Sequence, residues 1–172
     1  MPDAARQMGA SSITFHHLIF TGEEIYSRHE KTLHDFFSCP ARDWAGFVRE
    51  RPPDIAPDKL LLVLGKIKSM RTGADISVYP NLTDDETRRY YRGFDFLPDS
   101  YRRRCVSPWM VAYVFPDGSV RPCQSINYSF GSINEKGFKE LWNSERATRY
   151  RGVLKKEGFF PVCPRCTEFY RY

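Results

Sequence analysis

The sequence predicts a mixed α/β protein in two parts. Residues 1–93 indicate an incomplete parallel α/β unit, residues 105–172 a small α+β unit, and residues 94–104 a basic linker between them. In the first part, strand patterns alternate with helix patterns, which is typical of parallel βαβ construction. In the second, a hairpin pattern and short helices separate four cysteines, which indicates a small unit folded around a metal.

The first part begins with a strand and a helix. Residues 12–20 are apolar and aromatic with a histidine pair inside, which predicts a buried strand that Gly22 stops. Residues 23–37 follow as a helix. Pro57 then lies in the first turn of a second helix that Gly73 ends. The apolar face of this second helix comprises Leu60, Leu64, Ile67 and Met70.

A second strand and a third helix complete this part. Residues 75–79 predict a strand, and Thr83 with Glu86 has the spacing of a capping box that begins a helix. A parallel sheet is normally covered on both faces, and two strands cannot form one alone. We therefore expect residues 1–93 to be incomplete alone, as the end of a larger α/β domain.

The second part predicts a hairpin followed by two helices. Residues 109–115 and 120–123 are the expected strands, joined by a turn over residues 116–119. Residues 138–142 mark a short helix. Ser144 is placed to cap a second helix, which Gly158 and Pro161 end.

Composition excludes several classes of protein. With 172 residues, 41% of them hydrophobic, the chain is expected to fold, and no run of eighteen apolar residues predicts a membrane span. The first residues lack the apolar core of a signal peptide, so we expect a cytoplasmic protein without a membrane partner. Arginines cluster beside aromatic residues, yet a net charge of +5 is ordinary, and a solvated face is favoured over nucleic-acid binding.

Five cysteines carry the strongest chemical signal. Cys105, Cys123, Cys163 and Cys166 are separated by seventeen, thirty-nine and two residues, and Cys39 is left over. A CxxC pair suits both tetrahedral zinc and an iron-sulfur cluster, so the spacing alone does not choose between them.

The residues around these cysteines resemble the SPASM or twitch extension of radical S-adenosylmethionine enzymes. The resemblance covers residues 105–166 and rests on several elements in order. They are Cys105, the Ser107-Pro108-Trp109 step, the Asp117-Gly118 turn, Cys123, residues 131–133, residues 138–144 and the final Cys163-Pro-Arg-Cys166. Ser132 stands where such sequences often carry asparagine.

The resemblance implies a partial (β/α)6 barrel followed by a domain that binds auxiliary four-iron, four-sulfur (4Fe-4S) clusters. Cys105, Cys123, Cys163 and Cys166 would then be the ligands of one cluster. Residues 1–93 would be the tail of the barrel. His17 and Asn81, at the ends of the two strands, would face S-adenosylmethionine or substrate. The three arginines before Cys105 would favour a reduced cluster.

The family's CxxxCxxC motif, which binds the cluster that cleaves S-adenosylmethionine, does not occur in this sequence. We therefore expect a truncated or split product, or a module that works beside a chain supplying the rest of the barrel, and not a complete enzyme. S-adenosylmethionine would bind only with that barrel. The first hypothesis is an auxiliary cluster for redox or substrate handling in the modification of a peptide or small molecule. The alternative is a zinc-stapled basic module that binds nucleic acid or peptide.

Overall fold

The computed structural model describes residues 2–70 and 73–172 and shows a small mixed α/β protein. The strands are β1 Ser12–His16, β2 Thr21–Gly22, β3 Val48–Arg49, β4 Asp75–Tyr79, β5 Tyr113–Val114, β6 Ser119–Arg121 and β7 Gly131–Ser132. The α-helices are α1 Pro2–Gln7, α2 Glu23–Phe37, α3 Pro57–Lys68, α4 Asp84–Arg92, α5 Ser107–Met110, α6 Phe138–Trp142 and α7 Glu145–Glu157. Short 3₁₀ helices span Arg42–Phe47, Cys163–Arg165 and Thr167–Tyr170.

The expected parallel pairing is confirmed by β1 and β4, whose register runs from Ser12 opposite Asp75 to His16 opposite Tyr79. A second, shorter parallel pair joins β2 to β3. Across residues 2–70 and 73–172, the parallel strands form pairs and no larger parallel sheet. The partial barrel therefore stays a prediction.

The predicted strand over residues 12–20 was too long, because β1 ends at His16. The reason is that tyrosine hydroxyls from α4 take the place of a neighbouring strand. Tyr91 accepts a hydrogen bond from the Leu18 backbone N–H at 3.2 Å, and Tyr90 donates to the Leu18 carbonyl at 2.9 Å. The chain then turns Phe20 into the core and enters β2.

The two long helices of the first part differ in burial. α2 has the predicted bounds and buries Ile25, His29, Leu33 and Phe37. α3 begins at Pro57 as predicted but ends at Lys68, five residues before Gly73. Ser69 is the C-terminal cap of this helix, and the Ser69 hydroxyl donates to the Lys66 carbonyl at 2.8 Å. No residue of α3 is buried, and Leu62 is 68% exposed.

The predicted capping box of α4 is confirmed on both sides. The Glu86 N–H donates to the Thr83 hydroxyl at 3.2 Å, and the Thr83 N–H donates to the Glu86 carboxylate at 2.9 Å. The remaining carboxylate contacts of Glu86 reach the segment that follows α4: Asp99 N–H, Ser100 N–H and the Ser100 hydroxyl, each at 2.7 Å. One buried carboxylate thus joins the start of α4 to the linker.

The first strand of the hairpin begins later in the sequence than predicted, at Tyr113 instead of residue 109. Residues 107–110 are helical and not extended. Pro108 lies in the first turn of this helix, where the Trp109 N–H donates to the Val106 carbonyl at 3.0 Å. β5 and β6 then pair, turning at Gly118, whose φ of +81° disfavours any residue with a side chain. β7, which was not predicted as a strand, pairs antiparallel with β6.

The last two helices follow the prediction. α6 spans residues 138–142, and the Ser144 hydroxyl accepts the Ala147 N–H at 3.2 Å to begin α7. α7 ends at Gly158, whose φ is +81°. None of the helices in the described part of the chain is long and apolar enough to cross a membrane.

Aromatic side chains from both parts of the chain share one core. Phe37 of α2 lies with its ring centre 5.1 Å from that of Tyr150 on α7 and 4.8 Å from that of Tyr128. Phe160 packs against Tyr150 at 5.8 Å. The same cluster of buried residues includes Cys105, Cys123 and Cys163, so the core extends directly to the cysteines.

Candidate metal centre

Three segments bring the four predicted ligands to one region. Cys105 precedes α5, and Cys123 lies two residues after β6. Cys163 begins a 3₁₀ turn, and Cys166 ends it. Cys105, Cys123 and Cys163 are buried, and Cys166 is half-buried.

Backbone hydrogen bonds hold these segments. The Cys105 N–H donates to the carbonyl of Gly158 at 2.9 Å, which attaches the first ligand to the end of α7. Within the CxxC turn, the Cys166 N–H donates to the Cys163 carbonyl at 2.9 Å. Pro164 occupies the second position of this turn, where its missing N–H costs no hydrogen bond.

The thiols interact directly. A hydrogen bond from the Cys163 thiol to the Cys105 sulfur lowers the pKa of Cys105. The same bond, together with burial, raises the pKa of Cys163 well above its usual value. Burial raises the pKa of Cys123, and it raises the pKa of Cys166 to about 11. Nearby thiols raise both pKa values further. Without a metal, the thiols of Cys123, Cys163 and Cys166 would therefore remain protonated near neutral pH.

Each sulfur also receives a backbone N–H. The Phe160 N–H donates to the Cys163 sulfur at 3.3 Å. The N–H groups of Ser107, Ser125 and Glu168 donate to Cys105, Cys123 and Cys166, and each of these bonds lowers the pKa of its cysteine. Such donors stabilise the negative charge that a metal-bound sulfur carries.

Two side chains complete the surroundings of the sulfurs. The Tyr150 hydroxyl forms a hydrogen bond with the Cys123 sulfur. The Ser125 hydroxyl donates to Cys166. Because Tyr150 and Phe160 are fully buried, this side of the centre is closed to water.

The donor set fits an iron-sulfur cluster. Four soft sulfur donors lie in a largely apolar region, and every one has a hydrogen-bond donor of its own. Among residues 2–70 and 73–172, no three His, Cys, Asp or Glu side chains already stand in a tight group around the position of a single ion.

His17 and Asn81 lie at the same edge of the β1–β4 pair, as their positions after the two strands predicted. His17 is buried, and its Nδ1 is 3.0 Å from the Tyr91 hydroxyl. Burial, with smaller effects from Lys68 and His16, lowers the pKa of His17 to about 4. Asn81 is exposed, and its backbone N–H donates to the Tyr101 hydroxyl at 3.2 Å. Their predicted contact with a cofactor or substrate remains a prediction.

Other cysteine and arginine positions were only partly anticipated. Cys39 is half-buried just after α2, with Arg146 and Asp43 as charged neighbours. The three arginines at 102–104 are exposed, so solvent screens their effect on the centre.

Sequence reasoning missed Tyr150 as a sulfur contact and Arg165 as a buried cation. The helical spacing of Tyr150 predicts only that it belongs to the core. For Arg165, the signal in the sequence was its position between two predicted ligands.

Comparison with known proteins supports this assignment. Residues 105–167 match the family model of SPASM, described as an iron-sulfur cluster-binding domain. All four cysteines of the centre fall within the matched range. This part of the chain is therefore a SPASM domain that binds iron and sulfur, and the resemblance found in the sequence is confirmed.

A curated relative is the tungsten-containing aldehyde ferredoxin oxidoreductase cofactor-modifying protein of Pyrococcus furiosus. It is 33% identical over 73 residues, an alignment that covers 33% of this chain and 20% of the relative. The chain thus matches about a fifth of the relative's length. No solved structure matches the chain.

Proposed function

We propose that this chain holds one 4Fe-4S cluster through Cys105, Cys123, Cys163 and Cys166, as the auxiliary-cluster portion of a radical S-adenosylmethionine protein. The observation that carries the proposal is the convergence of four thiols in the SPASM domain, each with its own N–H donor. When bound, such a cluster accepts or donates single electrons or helps to hold a substrate. The chain supplies the four sulfurs and the hydrogen-bond donors that stabilise the charge of these sulfurs. The buried rings of Tyr150 and Phe160 exclude water from one side of the centre.

The first part of the chain would contribute to a partial (β/α)6 barrel. The β1–β4 pair supports this role because both strands are incompletely covered, and α3 leaves Leu62 and Val63 exposed. The remaining strands would come from a partner chain or from further sequence, and S-adenosylmethionine would bind only with them. His17 and Asn81 would then face the cofactor or substrate from the strand ends.

The substrate would be a peptide or a small molecule. The relative's name describes modification of an oxidoreductase cofactor, which supports the small-molecule side of this proposal. A cytoplasmic location suits a centre of reduced thiols and is part of the same proposal.

Anaerobic purification and reconstitution of the full chain with iron and sulfide tests the cluster. We expect a brown protein with about four irons and four sulfides per chain, as the proposed cluster requires. Cys163→Ala should lose the colour and most of the iron, because it removes a buried ligand. The matched control is Cys39→Ala, which should retain both, because Cys39 lies outside the centre.

Two results would overturn the assignment. A colourless wild-type protein with stoichiometric zinc would support the zinc-stapled alternative. An unchanged spectrum in Cys163→Ala would show that the set of ligands is wrong. Iron and sulfide analysis, absorption spectra and electron paramagnetic resonance (EPR) distinguish these outcomes.

A further inference from the structure

Arg165, between the two cysteines of the CxxC turn, is a buried cation. Its side chain is only 2% exposed. The guanidinium carbon lies 4.1 Å from the ring centre of Tyr90, 4.3 Å from that of Phe20 and 5.4 Å from that of Phe96. Aromatic faces therefore surround a charge that would otherwise be hydrated.

The hydrogen bonds of Arg165 reach only neutral oxygen atoms. Nη1 donates to the Tyr90 carbonyl at 2.8 Å, and Nη2 donates to the carbonyls of Gly93 at 2.5 Å and Phe94 at 3.0 Å. Nε has no partner. In the described part of the chain, no carboxylate forms an ion pair with this guanidinium.

A buried charge without a counter-ion destabilises a folded protein. The carbonyls at the end of α4 offset part of that cost, because the C-terminal end of a helix is partly negative. They do not supply a full negative charge. The environment of Arg165 thus favours a nearby anion that residues 2–70 and 73–172 do not provide.

The proposed cluster is such an anion. Four thiolates on a 4Fe-4S core with two positive charges give a net charge of about −2. Arg165 lies in the same turn as two of the four ligands. Both Arg165 and Cys166 affect the pKa of the Tyr90 phenol. Burial is the main cause of the raised pKa of Tyr90, Arg165 lowers this pKa and Cys166 raises it.

We propose that Arg165 is a positioning residue whose buried positive charge neutralises part of the cluster's negative charge and thereby raises its reduction potential. The inference rests on the proposed function. Reduction adds one electron from an external one-electron donor, and no bond forms or breaks. The reduced cluster carries one more negative charge than the oxidised one, so a fixed cation nearby favours the reduced form.

Redox titration of the reconstituted full chain, followed by EPR, tests the inference. Arg165→Gln should shift the midpoint potential to more negative values, whereas Arg165→Lys, which keeps the charge, should stay near wild type. Arg149→Gln removes an exposed arginine from α7 and is the matched control, with little expected shift. A purely structural role predicts instead that Gln and Lys behave alike, and that result would overturn the inference.

A second variant keeps Arg165 in place in case its replacement prevents folding. Phe96→Glu puts a carboxylate beside the guanidinium and should also lower the potential, because the new anion competes with the cluster for the same cation. Unshifted potentials in a cluster-loaded Phe96→Glu protein would refute the role of Arg165 while leaving the proposed function intact. If the wild-type chain binds no cluster, both proposals fail.

Discussion

At the residue scale, His29 is the least expected feature of the core. It lies in the middle of α2, has no exposed surface, and neither ring nitrogen has a hydrogen-bond partner. Its neighbours are the rings of Trp44 and Phe160, with ring centres 6.4 and 6.3 Å away. Burial lowers the pKa of His29 to about 4, so the ring stays neutral in the folded protein at neutral pH.

This shift predicts a pH dependence. The pKa of the unfolded side chain is 6.5, so between pH 6.5 and 4 the unfolded chain binds a proton that the folded chain does not. The free energy of unfolding should therefore fall as the pH falls through this window, by about 2 kcal/mol at pH 5 from His29 alone. His29→Leu should remove that part of the slope and also a pair of unpartnered buried nitrogens.

Urea unfolding between pH 7 and pH 5, followed by tryptophan fluorescence, measures the effect. His34→Leu is the control on the same helix, because His34 is exposed. His17 has a similarly lowered pKa, so some slope should remain in His29→Leu. Identical slopes in wild type and His29→Leu would show that His29 is not buried as a neutral ring.

At the element scale, Glu86 joins α4 to the linker. Its carboxylate is 2% exposed and accepts hydrogen bonds from residues 83, 99 and 100. Burial alone would raise the pKa of Glu86, but these hydrogen bonds outweigh it and lower the pKa to about 2. The resulting stabilisation is present above the unfolded value of 4.5 and is lost as the pH falls toward 2.

Glu86→Gln should destabilise the protein by about 3 kcal/mol at pH 7, because the amide NH₂ would face N–H and O–H donors in a buried site. Asp84→Asn, an exposed change in the first turn of the same helix, should cost less than about 1 kcal/mol. Urea unfolding of both variants gives the comparison. Equal stability of the two variants would contradict the role assigned to Glu86.

The elements that the sequence predicted well are those with local causes. The capping box of α4, the Ser144 cap of α7 and the turn at Gly118 all depend on residues within a few positions of each other. The elements predicted poorly depend on distant contacts. The strand over residues 12–20 is cut short by two tyrosines of α4, which lie more than seventy residues away in the sequence.

At the scale of the whole molecule, the proposed cluster would connect the beginning and the end of the SPASM domain. Cys105 and Cys163 are distant in sequence, yet their thiols share a hydrogen bond. The surrounding core contains rings from both parts of the chain. Loss of the cluster would leave buried thiols and the Arg165 cation without their partner.

Removal of the cluster with a chelator under reducing conditions should therefore lower the melting temperature of the chain. It should also increase hydrogen exchange in the 3₁₀ turn over residues 163–165 and in the segment before Cys105, since metal binding contributes directly to folding energy. Exchange in the middle of α2 should change less, because His29 there packs against the ring of Trp44, outside the centre. Equal melting temperatures with and without iron would contradict this coupling.

The sequence by itself determined the SPASM domain, its four cysteines and most of the helices, because cysteine spacing, caps and hydrophobic periodicity are local patterns. Only the tertiary structure revealed which groups stabilise those sulfurs. The Tyr150 hydroxyl reaches the Cys123 sulfur from a distant segment of the chain, and the burial of Arg165 depends on the equally distant rings of Phe20 and Tyr90. The burial of a charged group and its hydrogen-bond partners depend on neighbours in three dimensions. These neighbours determine how much the group contributes to stability.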